Sequence, residues 1–138
     1  MKFAKWLFLI AGIYGLIVLL PLYFMEEKVG RDFPPAITHA EYYYGFAGVA
    51  AAWQVLLLFI STDPIRYRLM MIPPVLAKTS FVVAATILYL QQRVSGTLFG
   101  YSLVDLTLAI LFIVAYLTTP RLTVTASSKE QREEVTNH

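Results

Sequence analysis

Residues 68–91 read RLMMIPPVLAKTSFVVAATILYLQ, an apolar stretch long enough to cross a membrane with a single lysine in its middle. At ~1.5 Å of rise per residue, Lys78 lies about half-way through a bilayer if this stretch forms a helix. A charged side chain at the bilayer centre costs roughly 2.5–3.5 kcal/mol on insertion scales. The stretch therefore predicts a transmembrane helix and a polar partner for Lys78 on a neighbouring helix.

Three further apolar runs accompany this one. Of the 138 residues, 58% are hydrophobic and 14% are charged, whereas soluble domains average roughly 45–50% and 25%. The first run is too long for a signal-peptide core, and no small-x-small cleavage site precedes Glu26 and Glu27. We predict an all-α integral membrane protein with a four-helix bundle in residues 1–120 and a polar cytoplasmic tail in residues 121–138. The predicted helices span about residues 3–24, 38–60, 68–91 and 101–118.

The basic residues predict the orientation of these helices. Seven lie on the side of the N-terminus and three on the other side. The seven are Lys2, Lys5, Arg66, Arg68, Arg121, Lys129 and Arg132, and the three are Lys28, Arg31 and Arg93. Because cytoplasmic loops carry an excess of lysine and arginine, we expect both termini in the cytoplasm. Short connections favour an antiparallel up-down-up-down arrangement.

Composition excludes several classes of function. A formal charge of +2 with scattered basic residues argues against nucleic acid as a partner. The chain has no cysteine, which excludes disulfides and cysteine-ligated metal centres. His39 and His138 are the two histidines, and the second ends a polar tail. We therefore predict no metal site and no cofactor.

Depth in the membrane restricts which polar residues can meet. Counted from the outer ends of the predicted helices, Glu41 lies roughly 5 Å deep, Asp105 roughly 8–10 Å and Lys78 roughly 20 Å. The long side chain of Lys78 can extend several ångströms along the helix. We therefore predict Asp105 as its first candidate partner and Glu41 as its second. Gln54 is level with Lys78 but lies about 220° around its helix from Glu41, so these two cannot share a groove.

His39 has two interpretations. It is either an interfacial residue near a helix start or one half of an acid/base pair with Glu41 at the mouth of a cavity. Residues two apart on a helix point about 200° away from each other, so the pair requires that the helix begin only at Glu41. The His-x-Glu pattern is too short to indicate zinc. The tyrosines at residues 42–44 indicate the membrane interface.

Small residues line one face of each of the first two predicted helices. Gly12 and Gly15 allow a neighbouring helix to approach closely. In the second helix, four residues spaced i, i+4, i+7 and i+11 form a face that is nearly bare backbone beneath a carboxylate. These residues are Glu41, Gly45, Gly48 and Ala52. We expect another helix to pack against this face.

Two adjacent prolines interrupt the third run. Pro73 and Pro74 cannot donate backbone hydrogen bonds, and inside a helix they force a kink. Because freed carbonyl groups need partners within a membrane, we expect such a kink to be buried in protein.

The chain resembles the small bacterial membrane proteins grouped as DoxX-like. The resemblance covers about Thr38 to Thr119 and rests on HAEYYYGFAGVAAAWQ at 39–54, DPIRYR at 63–68, AKTSF at 77–81 and Asp105. It implies a location in the bacterial inner membrane. It also implies a role beside redox complexes, because DoxX is associated with a thiosulfate:quinone oxidoreductase. It transfers no catalytic residue.

Three functions follow as hypotheses. The first is a non-enzymatic accessory or scaffold subunit of a membrane complex, such as a redox- or quinone-linked one, with a polar interior built from Glu41, Lys78 and Asp105. In a simpler interpretation of these charges, Lys78 and a carboxylate only neutralise each other and fix helix register. The second is a lipid- or quinone-binding enzyme or carrier whose pocket contains Glu41, Lys78, Asp105 and His39. The third is a small transporter that passes protons or ions. Expected partners are the lipid bilayer and a membrane protein complex or further copies of the chain.

Overall fold

A computed structural model describes residues 2–122, and all regular structure within that range is helical. The four long helices are α1 (Lys2–Leu19), α3 (Ala40–Thr62), α4 (Ile72–Leu90) and α5 (Gly96–Thr118). A short helix, α2 (Glu26–Asp32), lies between α1 and α3. Two 3-10 segments extend the long helices, Leu20–Phe24 after α1 and Arg68–Met71 before α4.

Four helical segments are long and apolar enough to cross a membrane. They are Lys2–Phe24, Ala40–Thr62, Arg68–Leu90 and Gly96–Thr118, with mean hydropathies of 2.4, 1.7, 1.7 and 2.2. The predicted all-α class is confirmed for the described residues, and the four segments indicate a multi-pass membrane protein. Apart from Arg121 and Leu122, the predicted tail lies outside the described residues.

The fourth long helix begins earlier than the sequence pattern suggested. The fourth helix is predicted to begin at about residue 101, yet α5 begins at Gly96. Ser95 explains this start, because its side-chain oxygen accepts a hydrogen bond from the amide of Leu98 (3.3 Å) and so caps the helix. Gly96 and Gly100 are residues typical of turns, so the sequence pattern did not indicate a helix start here.

The two prolines of the third run do not kink a helix interior, so that prediction was wrong. Pro73 and Pro74 occupy the first turn of α4, where a helix has no intrahelical donor to lose. The irregular backbone lies before them, in the 3-10 segment Arg68–Met71.

Helix α1 lies between α3 and α5, and α4 packs on α5. The rings of Phe8 and Phe112, both fully buried, stack with centroids 4.7 Å apart and join α1 to α5. The buried cluster around them draws on the beginning of α1, the ends of α3 and α5, and the turn before α4. Its members are Ala4, Phe8, Ala11, Leu57, Ile60, Met71, Phe112 and Ala115.

The glycines of α1 permit a close contact with α3, as predicted. A Cβ atom placed on Gly12 would lie 2.8 Å from Cδ2 of Leu58 and 3.1 Å from the carbonyl oxygen of Gln54. A Cβ atom on Gly15 would overlap the side chain of Gln54, which is only 8% exposed. The amide Nε2 of Gln54 donates to the carbonyl oxygen of Ala50 (3.2 Å). Gln54 therefore fills the space that the missing side chain of Gly15 leaves.

Candidate functional site

Lys78 and Asp105 form an ion pair between α4 and α5. The ammonium Nζ of Lys78 donates a hydrogen bond to Oδ1 of Asp105. Both side chains are mostly covered, with exposed fractions of 24% and 23%. The structure therefore pairs Lys78 with Asp105, the first of its two predicted partners.

The early start of α5 explains why these two residues meet. Asp105 lies nine residues after Gly96, or about 14 Å along the helix at ~1.5 Å per residue. Lys78 lies twelve residues before Leu90, or about 18 Å along α4. A fourth helix that began at Tyr101 would have left Asp105 nearer the membrane surface. The additional residues of α5 bring the carboxylate close to the level of the ammonium group.

His39 and Glu41 form a separate pair at the beginning of α3. Nδ1 of His39 lies 3.1 Å from Oε1 of Glu41, and the two side chains are 69% and 68% exposed. His39 is the residue before the first helical position, with φ −115° and ψ 75°, so helical spacing does not separate its ring from Glu41. Both side chains lie on the surface, so the pair is not part of an enclosed pocket.

The four predicted pocket residues thus form two pairs. Within residues 2–122, no hydrogen bond or ion pair joins Glu41 to Lys78 or to Asp105. Two clefts, of about 330 Å³ and 380 Å³, are lined by other residues. Glu26, Gly30 and Ile37 belong to the first of these clefts.

Tyrosines at the start of α3 hold the segment that follows α1. The hydroxyl of Tyr44 donates to Oε2 of Glu26 (2.7 Å), and the hydroxyl of Tyr43 donates to the carbonyl oxygen of Leu22 (2.7 Å). The rings of Tyr23 and Tyr44 also stack, with centroids 6.0 Å apart. The tyrosine run therefore makes structural contacts that the sequence pattern alone did not assign to it.

The small-residue face of α3, made of Glu41, Gly45, Gly48 and Ala52, is largely open. No heavy atom of the described residues outside the helix's own neighbourhood lies within 4 Å of a Cβ atom placed on Gly45. A Cβ atom on Gly48 would meet the hydroxyl oxygen of Tyr23 at 3.3 Å. Ala52 is exposed. The helix expected to pack on this face is not one of the described helices.

Arg68 fastens the end of α5, a contact that sequence reasoning missed. Its Nε donates to the carbonyl oxygens of Tyr116 (3.2 Å) and Thr119 (2.8 Å). Its guanidinium carbon lies 4.0 Å from the centre of the Tyr116 ring. A cation suits this place because the carbonyl groups at a helix C-terminus carry partial negative charge. A lone arginine at the start of a span gave no signal of this long-range contact.

No family model matches the chain, and neither a curated protein nor a solved structure is significantly similar to it. In the described part of the chain, no group of three or more histidine, aspartate and glutamate residues is placed to hold a metal ion. The features that bear on the function of the protein are therefore the two charge pairs, the open face of α3 and the arginines near the end of α5.

Proposed function

We propose that this protein is a non-enzymatic accessory or scaffold subunit of a complex in the bacterial inner membrane, as the resemblance to DoxX-like proteins implies. In this proposal the four spans run up-down-up-down with both termini in the cytoplasm. The buried cluster that joins the beginning of α1 to the ends of α3 and α5 supports alternating directions. The excess of basic residues on the N-terminal side supports the orientation.

The open small-residue face of α3 is the observation that carries the proposal. Small residues let two transmembrane helices approach until their backbones touch, which is how helices associate without a hydrophobic driving force. Gly12 and Gly15 of α1 serve this purpose inside the chain, where they accommodate Leu58 and Gln54. Gly45 offers the same kind of surface without a helix on it in the described residues. A helix of another subunit fits this face.

The Lys78–Asp105 pair supports a structural role for the buried charges. Each group neutralises the charge of the other, and neither lines the two clefts described above. A mutually neutralised pair between two helices fixes their register without requiring a ligand.

Leucine substitutions test the proposed contact. Gly45→Leu would place a bulky side chain on the open face of α3. Gly100→Leu would place one on α5, where a Cβ atom also meets no other part of the described chain within 4 Å. Both replace an exposed helical glycine, so each should fold and gain some helix propensity. The complex is extracted in mild detergent, and its size and subunits are determined by native electrophoresis and mass spectrometry.

We expect the parent and Gly100→Leu to remain in a species much larger than one 15.6 kDa chain, with a second polypeptide in constant ratio. Gly45→Leu should be released from that species. A parent protein that is released alone, or a Gly45→Leu variant that stays bound like the parent, would exclude this docking face. A large species built from this chain alone would identify a homo-oligomer and exclude the accessory role.

A lipid- or quinone-binding carrier is the second candidate, and the partial exposure of Lys78 and Asp105 favours it. About a quarter of each side chain remains accessible, so an acidic or carbonyl-bearing headgroup can compete for the ammonium. In that case the purified parent retains a lipid or quinone, and Lys78→Met loses it while staying folded. Equal retention by the parent and by Lys78→Met would exclude this candidate.

A further inference from the structure

We propose that a cleft lined by three arginines, at the end of the molecule where α5 ends and α4 begins, binds the phosphate group of an anionic phospholipid. The cleft has a volume of about 380 Å³. Its lining consists of Ile65, Arg66, Arg68, Leu69, Tyr116, Arg121 and Leu122. This inference does not depend on the proposed accessory role.

The guanidinium groups carry the first part of the argument. Arg68 is held in place by Nε, which leaves both of its Nη groups without a hydrogen bond to any residue in 2–122. Arg66 and Arg121 are exposed, and no carboxylate of the described residues forms an ion pair with either of them. These three guanidinium groups have no acidic partner among the described residues, so they are available to an anion. Phosphate suits them because two parallel N–H groups of an arginine can donate to two phosphate oxygens.

The fixed position of Arg68 distinguishes this cleft from a set of mobile surface charges. Two hydrogen bonds and the Tyr116 ring restrain its guanidinium, so little side-chain freedom remains to be lost on binding. Asp63, the nearest acidic residue in sequence, uses Oδ1 to accept from the backbone amide of Arg66 (3.1 Å). That carboxylate caps a turn instead of neutralising a guanidinium.

The place of the cleft indicates a lipid instead of a soluble phosphate. One candidate span begins at Arg68 and another ends at Thr118, so the cleft lies at the level where a membrane surface would be. Leu69 and Leu122 border it and are 70% and 62% exposed. Cationic groups beside exposed leucines suit a headgroup whose acyl chains continue into the bilayer. The proposed orientation puts the cleft at the cytoplasmic leaflet, which carries anionic lipids.

Native mass spectrometry of the full-length protein in mild detergent tests the assignment. The protein is titrated with phosphatidylglycerol and, separately, with phosphatidylcholine of the same acyl chains. The test variant is Arg66→Gln with Arg121→Gln, which leaves the restraining contacts of Arg68 intact. The matched control is Arg31→Gln with Arg93→Gln, which removes the same charge from exposed arginines outside the cleft. Thermal unfolding verifies that both variants are folded.

We expect the parent to prefer phosphatidylglycerol and the test variant to bind it at least tenfold more weakly, since the loss of one charge-assisted hydrogen bond alone costs about a factor of ten. The control variant should bind as the parent does, and millimolar inorganic phosphate should not displace the lipid. Equal weakening in both variants, or none in either, would overturn the proposal. Displacement by millimolar inorganic phosphate would assign the cleft to a soluble phosphate and overturn the lipid assignment.

Discussion

Lys78 of α4 donates a hydrogen bond to Asp105 of α5 near the middle of two apolar helices, and this pair is the deepest charged contact in the described residues. Each residue alone would place an uncompensated charge among apolar side chains. Together they join α4 to the helix on which it packs. The pair therefore fixes how α4 and α5 are placed relative to each other.

Removing one member of this pair should destabilise the protein more than removing both. We expect Lys78→Met and Asp105→Leu each to lower the free energy of unfolding by ~2–3 kcal/mol, because the remaining charge loses its partner. The double variant should lose less than either single variant. Equilibrium unfolding in mixed micelles measures all four proteins in one cycle. Additive losses would show that the two side chains contribute independently, which contradicts the pairing.

A methyl group added to the face of α1 that contacts α3 should also lower the free energy of unfolding. Gly12→Ala would push Leu58 and the backbone of Gln54 away from α1. Overpacking of this kind lowers the free energy of unfolding by about 1–3 kcal/mol. The matched control is Gly45→Ala, which should raise stability by up to ~1 kcal/mol because its helical position is open. The same unfolding measurement applies to both. A Gly12→Ala variant as stable as Gly45→Ala would show that α1 and α3 are not in close contact.

Arg68 should protect the last turn of α5 from opening. In Arg68→Met the carbonyl oxygens of Tyr116 and Thr119 lose a charged donor, which is worth ~1.5 kcal/mol or more, or about a tenfold change in local opening. We expect hydrogen exchange at the amides of Thr118 and Thr119 to accelerate by about that factor. Arg66→Met serves as the control, since Arg66 makes no hydrogen bond to α5. Equal exchange in the two variants would show that Arg68 does not fasten the helix.

The four long apolar helices could be predicted from the sequence because length and hydropathy indicate them. The order of packing could be predicted only in part. Short connections predict contacts between neighbours in the chain, and α1 packs on α3 and α4 on α5, whereas α3 and α4 make little contact within the described residues. Glycines at 12 and 15 pointed to a close neighbour for α1, but any helix with a complementary surface would have satisfied that pattern.

Depth counting predicted part of the candidate site. It ranked Asp105 first for Lys78 although the start of α5 was misplaced by five residues. Glu41 does not reach Lys78, because it lies in the first turn of α3 and so near the surface, well above the level of the ammonium group. The role of Arg68 was hidden for a similar reason, since its partners are backbone carbonyls 48 and 51 residues away.

The measurement that tests the proposed docking face most directly is cysteine accessibility in native membranes. The chain has no cysteine, so Gly45→Cys and Gly100→Cys each introduce one thiol near the beginning of a long helix. Labelling with a small maleimide is followed before and after a stronger detergent dissociates the complex. We expect the α3 thiol to react at least tenfold more slowly than the α5 thiol in membranes and at the same rate after dissociation. Equal rates in native membranes would contradict the proposal that another subunit covers the small-residue face of α3.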